Sequence, residues 1–245
     1  MSVAIEKISF FHISCKNYKR LLDLEYSGIV LKIIIAALPI LIAITFHEIS
    51  HGFVAYKLGD PTAKVMGRLT LNPIAHIDPI GTVLIPVMLL IFTHGQFVFG
   101  YAKPVPINPM NFKNPKRDMA ISAAAGPITN IILAIVSVLI LKVIIFPLQT
   151  ILPLSINTTV MTPIGMILKA SVVFNVILAA FNMIPIPPLD GGRVLTGFLP
   201  YKHAVTFSKI EPYGFIIVIF LIWTGIAGYF VIPLVNFFLM ILQSL

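Results

Sequence analysis

The sequence is poor in charged residues and nearly free of cysteine. Only 11% of its 245 residues are charged, whereas a soluble domain carries about 25%, so a soluble globular fold is excluded. The single cysteine, Cys15, excludes an internal disulfide framework and cannot supply a thiolate zinc cluster. The first 27 residues lack an apolar run followed by a small-residue cleavage site, so we expect no cleavable signal peptide.

Apolar stretches take up most of the chain. Hydrophobic residues make up 58% of it and the mean hydropathy is +0.99, which is typical of a polytopic membrane protein. We predict an all-α fold with about five to six transmembrane segments, in which residues 1–27 form an interfacial segment and residues 28–245 form one membrane-embedded domain. The net charge of +8 is scattered between apolar segments, which indicates contact with the lipid bilayer and no nucleic acid.

The positive charges also indicate the orientation of the chain. Lysine and arginine are concentrated in residues 57–68 and 103–118, and such loops are typically cytoplasmic. The apolar segment between them, residues 79–94, is shorter than the roughly 20 residues of a span and must return to the side on which it began. We therefore predict that residues 79–94 are re-entrant.

Two histidines and a glutamate end a nearly charge-free run. In the segment HEISH, His47 and His51 are four residues apart, so in a helix they lie on one face and can both direct a ring nitrogen at one metal ion. Glu48 follows His47 directly and is placed to hold a water at the metal. This is the arrangement of zinc peptidases, with two imidazoles on zinc and a carboxylate as general base. The alternative is a polar cluster that bonds neighbouring helices.

A catalytic zinc ion takes three protein ligands and keeps an open position. Of the nine acidic residues, all but Glu48 and Asp190 lie in or beside polar segments. Asp190 follows the proline-rich stretch IPIPPL, and irregular backbone at membrane depth is tolerated only where protein or a wet cavity surrounds it. We therefore predict Asp190 as the third ligand and one zinc ion per chain. The alternative is an interfacial aspartate that begins a cytoplasmic loop.

Three motifs in this order resemble the site-two protease family of intramembrane zinc metalloproteases: HEISH, AAAGPITN and NMIPIPPLDGG. The segments MGRLTLNPIAHIDPIGTVLIP and FGYAKPVPINP are similar to its compact branch, which has neither a PDZ nor a CBS domain. The resemblance implies that His47, His51 and Asp190 bind zinc and that Glu48 is the general base. It also implies a re-entrant segment or a β-hairpin near the zinc site.

The resemblance implies roles for two asparagines as well. Asn182 matches a family asparagine that engages the substrate or the oxyanion, and a helix-to-helix hydrogen bond is the alternative. Asn130 matches a position near the active site. The segment FVFGYAKPVPINP, residues 97–109, offers an edge strand interrupted by prolines that could pair with an extended substrate, and a plain cytoplasmic loop is the alternative.

The predicted function is hydrolysis of peptide bonds in or near transmembrane segments of other membrane proteins. The predicted substrate is thus a membrane protein with a transmembrane helix, and the zinc site lies nearer the cytoplasmic face. The alternatives are a catalytically silent zinc-binding membrane module and a zinc transporter. A transporter would be expected to carry several acidic or histidine residues along a path, and this sequence has essentially one such cluster.

Overall fold

The computed structural model describes residues 29–92 and 100–244. Regular structure within these ranges is entirely helical, which confirms the predicted all-α fold. A β-hairpin near the metal site, the alternative expectation, does not occur in those ranges. The interfacial segment predicted for residues 1–27 lies outside the described residues.

The α-helices of the described residues are numbered in chain order. They are α1 Ile29–Lys57, α2 Thr62–Val65, α3 Ile85–Phe92, α4 Pro115–Ile140, α5 Phe146–Ile151, α6 Leu154–Ile156, α7 Thr162–Asn182, α8 Asp190–Phe198, α9 Tyr201–Ser208, α10 Glu211–Trp223 and α11 Ile226–Ser244. Three π-helical stretches directly precede α3, α5 and α7: Pro79–Leu84, Leu141–Ile145 and Asn157–Met161. Two 3-10 helices cover Pro73–His76 and Pro109–Asn111.

Three helical stretches within the described ranges are long and apolar enough to cross a membrane. They are Ala37–Lys57, Pro115–Ile151 and Leu154–Asn182. A fourth results if α9 and α10, which are bent by 47° against each other, cross as one span. The chain is thus a multi-pass membrane protein, and the number of five to six segments stays a prediction.

One face of α1 is apolar and exposed, as a lipid-facing helix surface should be. Ile34, Leu38, Ile42 and Phe46 are spaced four residues apart, and between 38% and 44% of each is exposed. Residues at this spacing share a helix face. A continuous exposed apolar stripe would be unfavourable in water and is suited to hydrocarbon.

The apolar core lies between α4, α7 and α11. Ala134, Val176, Ala180 and Val231 from these helices are at most 1% exposed and belong to one contiguous cluster. Small side chains let membrane helices approach closely, so that dispersion contacts and interhelical hydrogen bonds hold them together. Helix α1 packs against both α4 and α7, which encloses the inner face of α1.

The segment predicted to be re-entrant begins with a short apolar helix, Pro79–Leu89, which is shorter than a membrane span. The side chain of Asp78 caps this helix by accepting hydrogen bonds from the N–H groups of Ile80, at 3.0 Å, and Gly81, at 2.7 Å. Such caps satisfy backbone donors that the first helical turn leaves unpaired. Re-entrance itself stays a prediction, because residues 93–99 lie outside the described ranges.

Candidate metal centre

Both histidines of HEISH lie on the buried face of α1. Ala43, His47, His51 and Ala55 are spaced four residues apart, and each is at most 7% exposed. Helix α1 runs without interruption through all four, so helical periodicity alone places the two imidazoles one turn apart on the side that faces α4 and α7.

Asp190 joins the two imidazoles in a buried cluster. The Nε2 atoms of His47 and His51 are 3.0 Å apart, and Oδ2 of Asp190 lies 3.2 Å from the first and 3.3 Å from the second. Asp190 is the first residue of α8, which packs against α4. The structure therefore brings together the three residues that the sequence predicts as metal ligands.

A tight turn between α7 and α8 returns Asp190 to the cluster. Helix α7 ends at Asn182, and the chain then folds back so closely that a Cβ atom on Gly191 would collide with the carbonyl group of Met183. Glycine has no Cβ and therefore permits this approach. Pro185, Pro187 and Pro188 end the preceding helix, because proline lacks the N–H group that a helix needs.

The cluster is suited to a cation. The carbonyl oxygen of Ser122 lies 2.8 Å from Nδ1 of His51 and can only accept, so this Nδ1 carries a proton, and in the neutral imidazole Nε2 keeps its lone pair. Nδ1 of His47 likewise donates a hydrogen bond of 2.5 Å, to Oδ1 of Asn130. Oδ2 of Asp190 is buried and accepts no hydrogen bond.

With both imidazoles neutral, three electron-rich atoms therefore converge. The separations of 3.2 and 3.3 Å become ion pairs if an imidazole is also protonated at Nε2, and otherwise join three atoms that each carry a lone pair. Such an arrangement is repulsive unless a cation lies among the three atoms. Two imidazoles and one carboxylate, with a fourth position open, form a donor set that fits catalytic zinc.

A glycine of α4 makes room for the two rings. A Cβ atom on Gly126 would collide with the imidazoles of both His47 and His51. The backbone of α4 thus packs directly against the rings, and the glycine of the motif AAAGPITN is explained by close packing at the metal centre.

Glu48 lies beside the cluster and is held from a distant part of the chain. Its Oε2 accepts a hydrogen bond of 2.9 Å from the backbone N–H of Val105. Pro104 and Pro106 have no N–H group, so Val105 is the only backbone donor among these three residues. The Glu48 carboxylate is oriented by the backbone and stays outside the group of three ligand atoms.

The residues before Val105 are extended and hydrogen-bonded along one edge. The N–H of Tyr101 donates to the carbonyl oxygen of Gly81 and the N–H of Lys103 donates to that of His76, both at 3.0 Å. No β-strand is formed over residues 100–109, so the predicted edge strand is wrong there, and residues 97–99 lie outside the described ranges. The missing strand has a physical reason, since proline at positions 104, 106 and 109 removes the ladder donors.

Comparison with known proteins settles the family. The family model described as Peptidase family M50 matches residues 35–225, a range that includes all three candidate ligands. The chain belongs to peptidase family M50. It is therefore a zinc metalloprotease of the site-two protease type, its cofactor is zinc, and no further domain is matched.

Curated relatives of the M50 chain carry names of the same kind. "Putative zinc metalloprotease YwhC" of Bacillus subtilis is 35% identical over 199 residues, which cover 81% of this chain and 84% of that protein. "Putative zinc metalloprotease Rip2" of Mycolicibacterium smegmatis is 26% identical over 219 residues, 88% of this chain and 75% of that protein. "Putative zinc metalloprotease Rip2" of Mycobacterium tuberculosis strain H37Rv is 29% identical over 204 residues, which cover 81% of this chain and 70% of that protein. No solved structure matches the chain.

The two asparagines that the family resemblance points to occupy different surroundings in this M50 protease. Asn130 is completely buried and contacts His47, one of the candidate ligands. Asn182 is half-buried at the end of α7, and its Nδ2 donates to the carbonyl oxygen of Leu178 in the same helix at 3.0 Å. The structure thus places Asn130 against the candidate ligand His47, and the roles of both asparagines stay predictions.

Sequence reasoning missed the partner of Glu48 and a second buried asparagine of the M50 chain, Asn175. The signal for Val105 is the alternation of prolines around it, which leaves one backbone donor. The signal for Asn175 is its position on an apolar helix, where an uncharged polar side chain needs a partner.

Proposed function

We propose that this M50 protease hydrolyses peptide bonds in or near transmembrane segments of other membrane proteins. In this proposal His47, His51 and Asp190 hold one zinc ion and Glu48 is the general base. The observation that carries it is the buried convergence of Asp190 Oδ2 with two imidazole nitrogens. The site lies among helices whose outer surface is apolar, which favours substrates that are themselves in the membrane.

The proposed reaction assigns separate roles to the zinc ion, to Glu48 and to Val105. When bound, zinc supplies Lewis acidity, which lowers the pKa of water at the metal to about 7 and polarises the scissile carbonyl. Glu48 takes the proton of the attacking water and passes it to the leaving amine. The hydrogen bond from Val105 restricts rotation of the Glu48 carboxylate, so that less orientational freedom is lost as the reaction begins.

The extended residues Gly100 to Val105 are proposed to hold the substrate. Tyr101, Lys103 and Val105 direct their N–H groups to one side, towards Gly81, His76 and Glu48 respectively. In an extended chain the intervening residue directs its N–H and carbonyl groups to the opposite side. Ala102 therefore offers a donor and an acceptor to an extended peptide. The peptide would lie along the segment whose last residue, Val105, donates to Glu48.

Asn182 is proposed to serve the substrate or the oxyanion. It ends α7, eight residues before Asp190 in the sequence and directly before the turn that leads to Asp190. Donation from its Nδ2 to a developing oxyanion would replace the present bond to Leu178, and loss of such a donor costs about 10²–10³ in rate.

The same proposal includes re-entrance of residues 79–94 and a zinc site nearer the cytoplasmic face. Asp60, in the turn between α1 and α2, accepts hydrogen bonds of 2.7 Å from the N–H of Asn108 and from Nδ2 of Asn111. The chain before residues 79–94 is thus in contact with the chain after them. Contact of this kind supports a return to one side, and the nearby lysines and arginines favour the cytoplasm.

Cysteine labelling tests this topology. Lys64→Cys and Lys113→Cys both lie at exposed positions, and Cys15→Ser removes the only native cysteine. A membrane-impermeant thiol reagent should label both positions from the cytoplasmic side. Labelling of the two positions from opposite sides would show that residues 79–94 cross the bilayer.

The function is tested by Glu48→Gln, which keeps the size of the side chain and removes its basicity. Zinc content should be unchanged, while cleavage of a membrane substrate that the unmodified protein cuts should fall by about 10²–10⁴, the usual contribution of a general base. Equal cleavage by both proteins would refute Glu48 as the general base, whereas a purified zinc-loaded protein that cuts no membrane substrate would favour the silent module or the transporter. The transporter has less support, since the described residues hold one metal-suited cluster.

A further inference from the structure

A chain of buried polar side chains leads away from the metal centre between α4 and α7. Nδ2 of Asn130 donates to Oδ1 of Asn175 at 2.8 Å, and Nδ2 of Asn175 donates to the carbonyl oxygen of Ser171 at 2.8 Å. Both asparagines are 0% exposed. At the end of this chain that is farthest from His47, the hydroxyl group of Ser137 donates a hydrogen bond of 2.9 Å to that of Ser171.

The orientation of the Asn175 amide is determined by its backbone partner. A carbonyl oxygen accepts and cannot donate, so the NH₂ group of Asn175 must face Ser171. Its Oδ1 consequently faces Asn130. The choice between the two amide orientations is thus made by a neighbour with a single hydrogen-bonding role.

The orientation of the Asn130 amide follows from two acceptors. Its Nδ2 faces Oδ1 of Asn175 at 2.8 Å and the carbonyl oxygen of Ala43 at 3.3 Å. The bond to Ala43 is long and therefore the weaker of the two, so Asn175 supplies the stronger constraint. Oδ1 of Asn130 is left to face Nδ1 of His47, which must donate.

We propose that Asn175 is a positioning residue of the metal centre, which acts through Asn130 to set the tautomer and ring orientation of His47. With the proton fixed on Nδ1, the Nε2 lone pair of His47 is directed at the site shared with Asp190. The effect that Asn175 is expected to have on zinc binding depends on the ligand set of the proposed function. The tautomer of His47 in the zinc-free protein is independent of that set.

Two substitutions separate positioning from packing. Asn175→Leu has a similar volume and removes both the acceptor for Asn130 and the donor to Ser171. Asn175→Asp keeps the acceptor for Asn130 and, when protonated, the donor to Ser171. Ser137→Ala is the matched control, because it breaks the polar chain in the same helix interface at the end far from His47.

The experiment uses the full-length protein in detergent or lipid and has two measurements. Nitrogen-15 NMR of labelled histidine in the zinc-free protein reports the tautomer of His47, assigned by its loss in His47→Ala. Competition with a chromophoric chelator reports zinc affinity. Loss of a ligand's outer hydrogen-bond partner typically weakens metal affinity about 10–100-fold, and we expect a fall of this size, with a mixed tautomer, in Asn175→Leu.

Asn175→Asp and Ser137→Ala should retain the Nδ1-protonated tautomer of His47. Their zinc affinity should stay within about twofold of the unmodified protein, far less than the change expected when a ligand loses its outer hydrogen-bond partner. An unchanged tautomer and affinity in folded Asn175→Leu would overturn the inference. If that variant does not fold, a mixed tautomer in Asn175→Asp would overturn it. Failure of the ligand set is distinguishable, since the unmodified protein would then bind no zinc while His47 still showed one tautomer.

Discussion

The backbone N–H of Val105 donates to Oε2 of Glu48 over 2.9 Å, although 57 residues separate the two in sequence. The candidate general base is thus held by the same extended segment that we propose for the substrate. A peptide that binds along this segment is placed beside Glu48, and a displacement of the segment would move the base. In the proposed binding mode, one hydrogen bond therefore couples substrate binding to the orientation of the base.

Replacement of Val105 by proline should reduce catalysis with no loss of zinc. Val105→Pro removes the N–H that orients Glu48, and a misplacement of about 1 Å at a reacting group can cost on the order of 10²-fold. We expect a fall in kcat of about tenfold or more, measured on a cleavable membrane substrate. Val105→Ala is the control, since it keeps the N–H, and it should retain most of the activity. Equal loss in both variants would assign the effect to side-chain packing.

A methyl group on Gly126 should displace the metal ligands. Its Cβ would collide with the imidazoles of His47 and His51, so Gly126→Ala is expected to weaken zinc affinity by about 10–100-fold, as other changes around metal ligands do. Gly165→Ala on α7 is the matched control, because its Cβ would meet only side-chain atoms at 3.7 and 4.0 Å. The control should bind zinc normally and gain about 0.5–1 kcal/mol of helix stability. Normal zinc affinity in Gly126→Ala would contradict the close packing of α4 against the two rings.

Removal of the metal should destabilise the unmodified protein and have no effect on Asp190→Asn. A ligand at a hundredfold excess over its Kd stabilises the folded state by about 2.7 kcal/mol, which chelation removes. In the zinc-free state with both imidazoles neutral, Asp190→Asn should be at least as stable as the unmodified protein, because an amide donor then replaces an oxygen that accepts no hydrogen bond. Thermal unfolding with and without chelator measures both effects. A lower Tm for zinc-free Asp190→Asn would indicate that protonated histidines hold Asp190 in ion pairs.

The clustering of His47, His51 and Asp190 could be predicted because its information is local. His47 and His51 need only a continuous helix to meet, and scarcity of acidic residues in apolar segments singled out Asp190. The proline-rich turn and the two glycines after Asp190 also indicate a sharp return of the chain. In each case the backbone constraint lies within a few residues of the side chain that it positions.

The contacts that hold Glu48 and Asn130 beside the ligands could not be predicted in the same way. Val105 reaches Glu48, and Asn175 reaches Asn130, only through the packing of elements that are far apart in sequence. Helical periodicity predicts which face of α7 is buried, but it does not predict which residue of α4 contacts a given residue of that face. The predicted edge strand failed for a related reason, since the segment pairs irregularly with residues 76 and 81 and forms no ladder.

Asp60 should give the zinc-free protein a characteristic loss of stability in acid. Burial of Asp60 favours the neutral acid, but hydrogen bonds from Thr62, Asn111 and Asn108 outweigh it and lower the pKa below the ordinary value of 3.8. A group with a lowered folded-state pKa stabilises the fold above its ordinary pKa, and this contribution is lost as pH falls below 3.8 and through the lower folded-state value.

Asp60→Asn isolates this contribution. The variant places an amide NH₂ against donors that point at the carboxylate, and leaving buried donors unpaired costs about 1–3 kcal/mol. Near neutral pH its Tm should therefore lie below that of the unmodified protein. The difference should shrink as pH falls below 3.8, because Asp60 then becomes protonated in the unmodified protein. The Tm of both zinc-free proteins is measured across this range, so that metal release does not contribute. A difference that grows as pH falls would mean that the folded-state pKa of Asp60 is raised, and the anchoring of residues 108–111 by a carboxylate would be wrong.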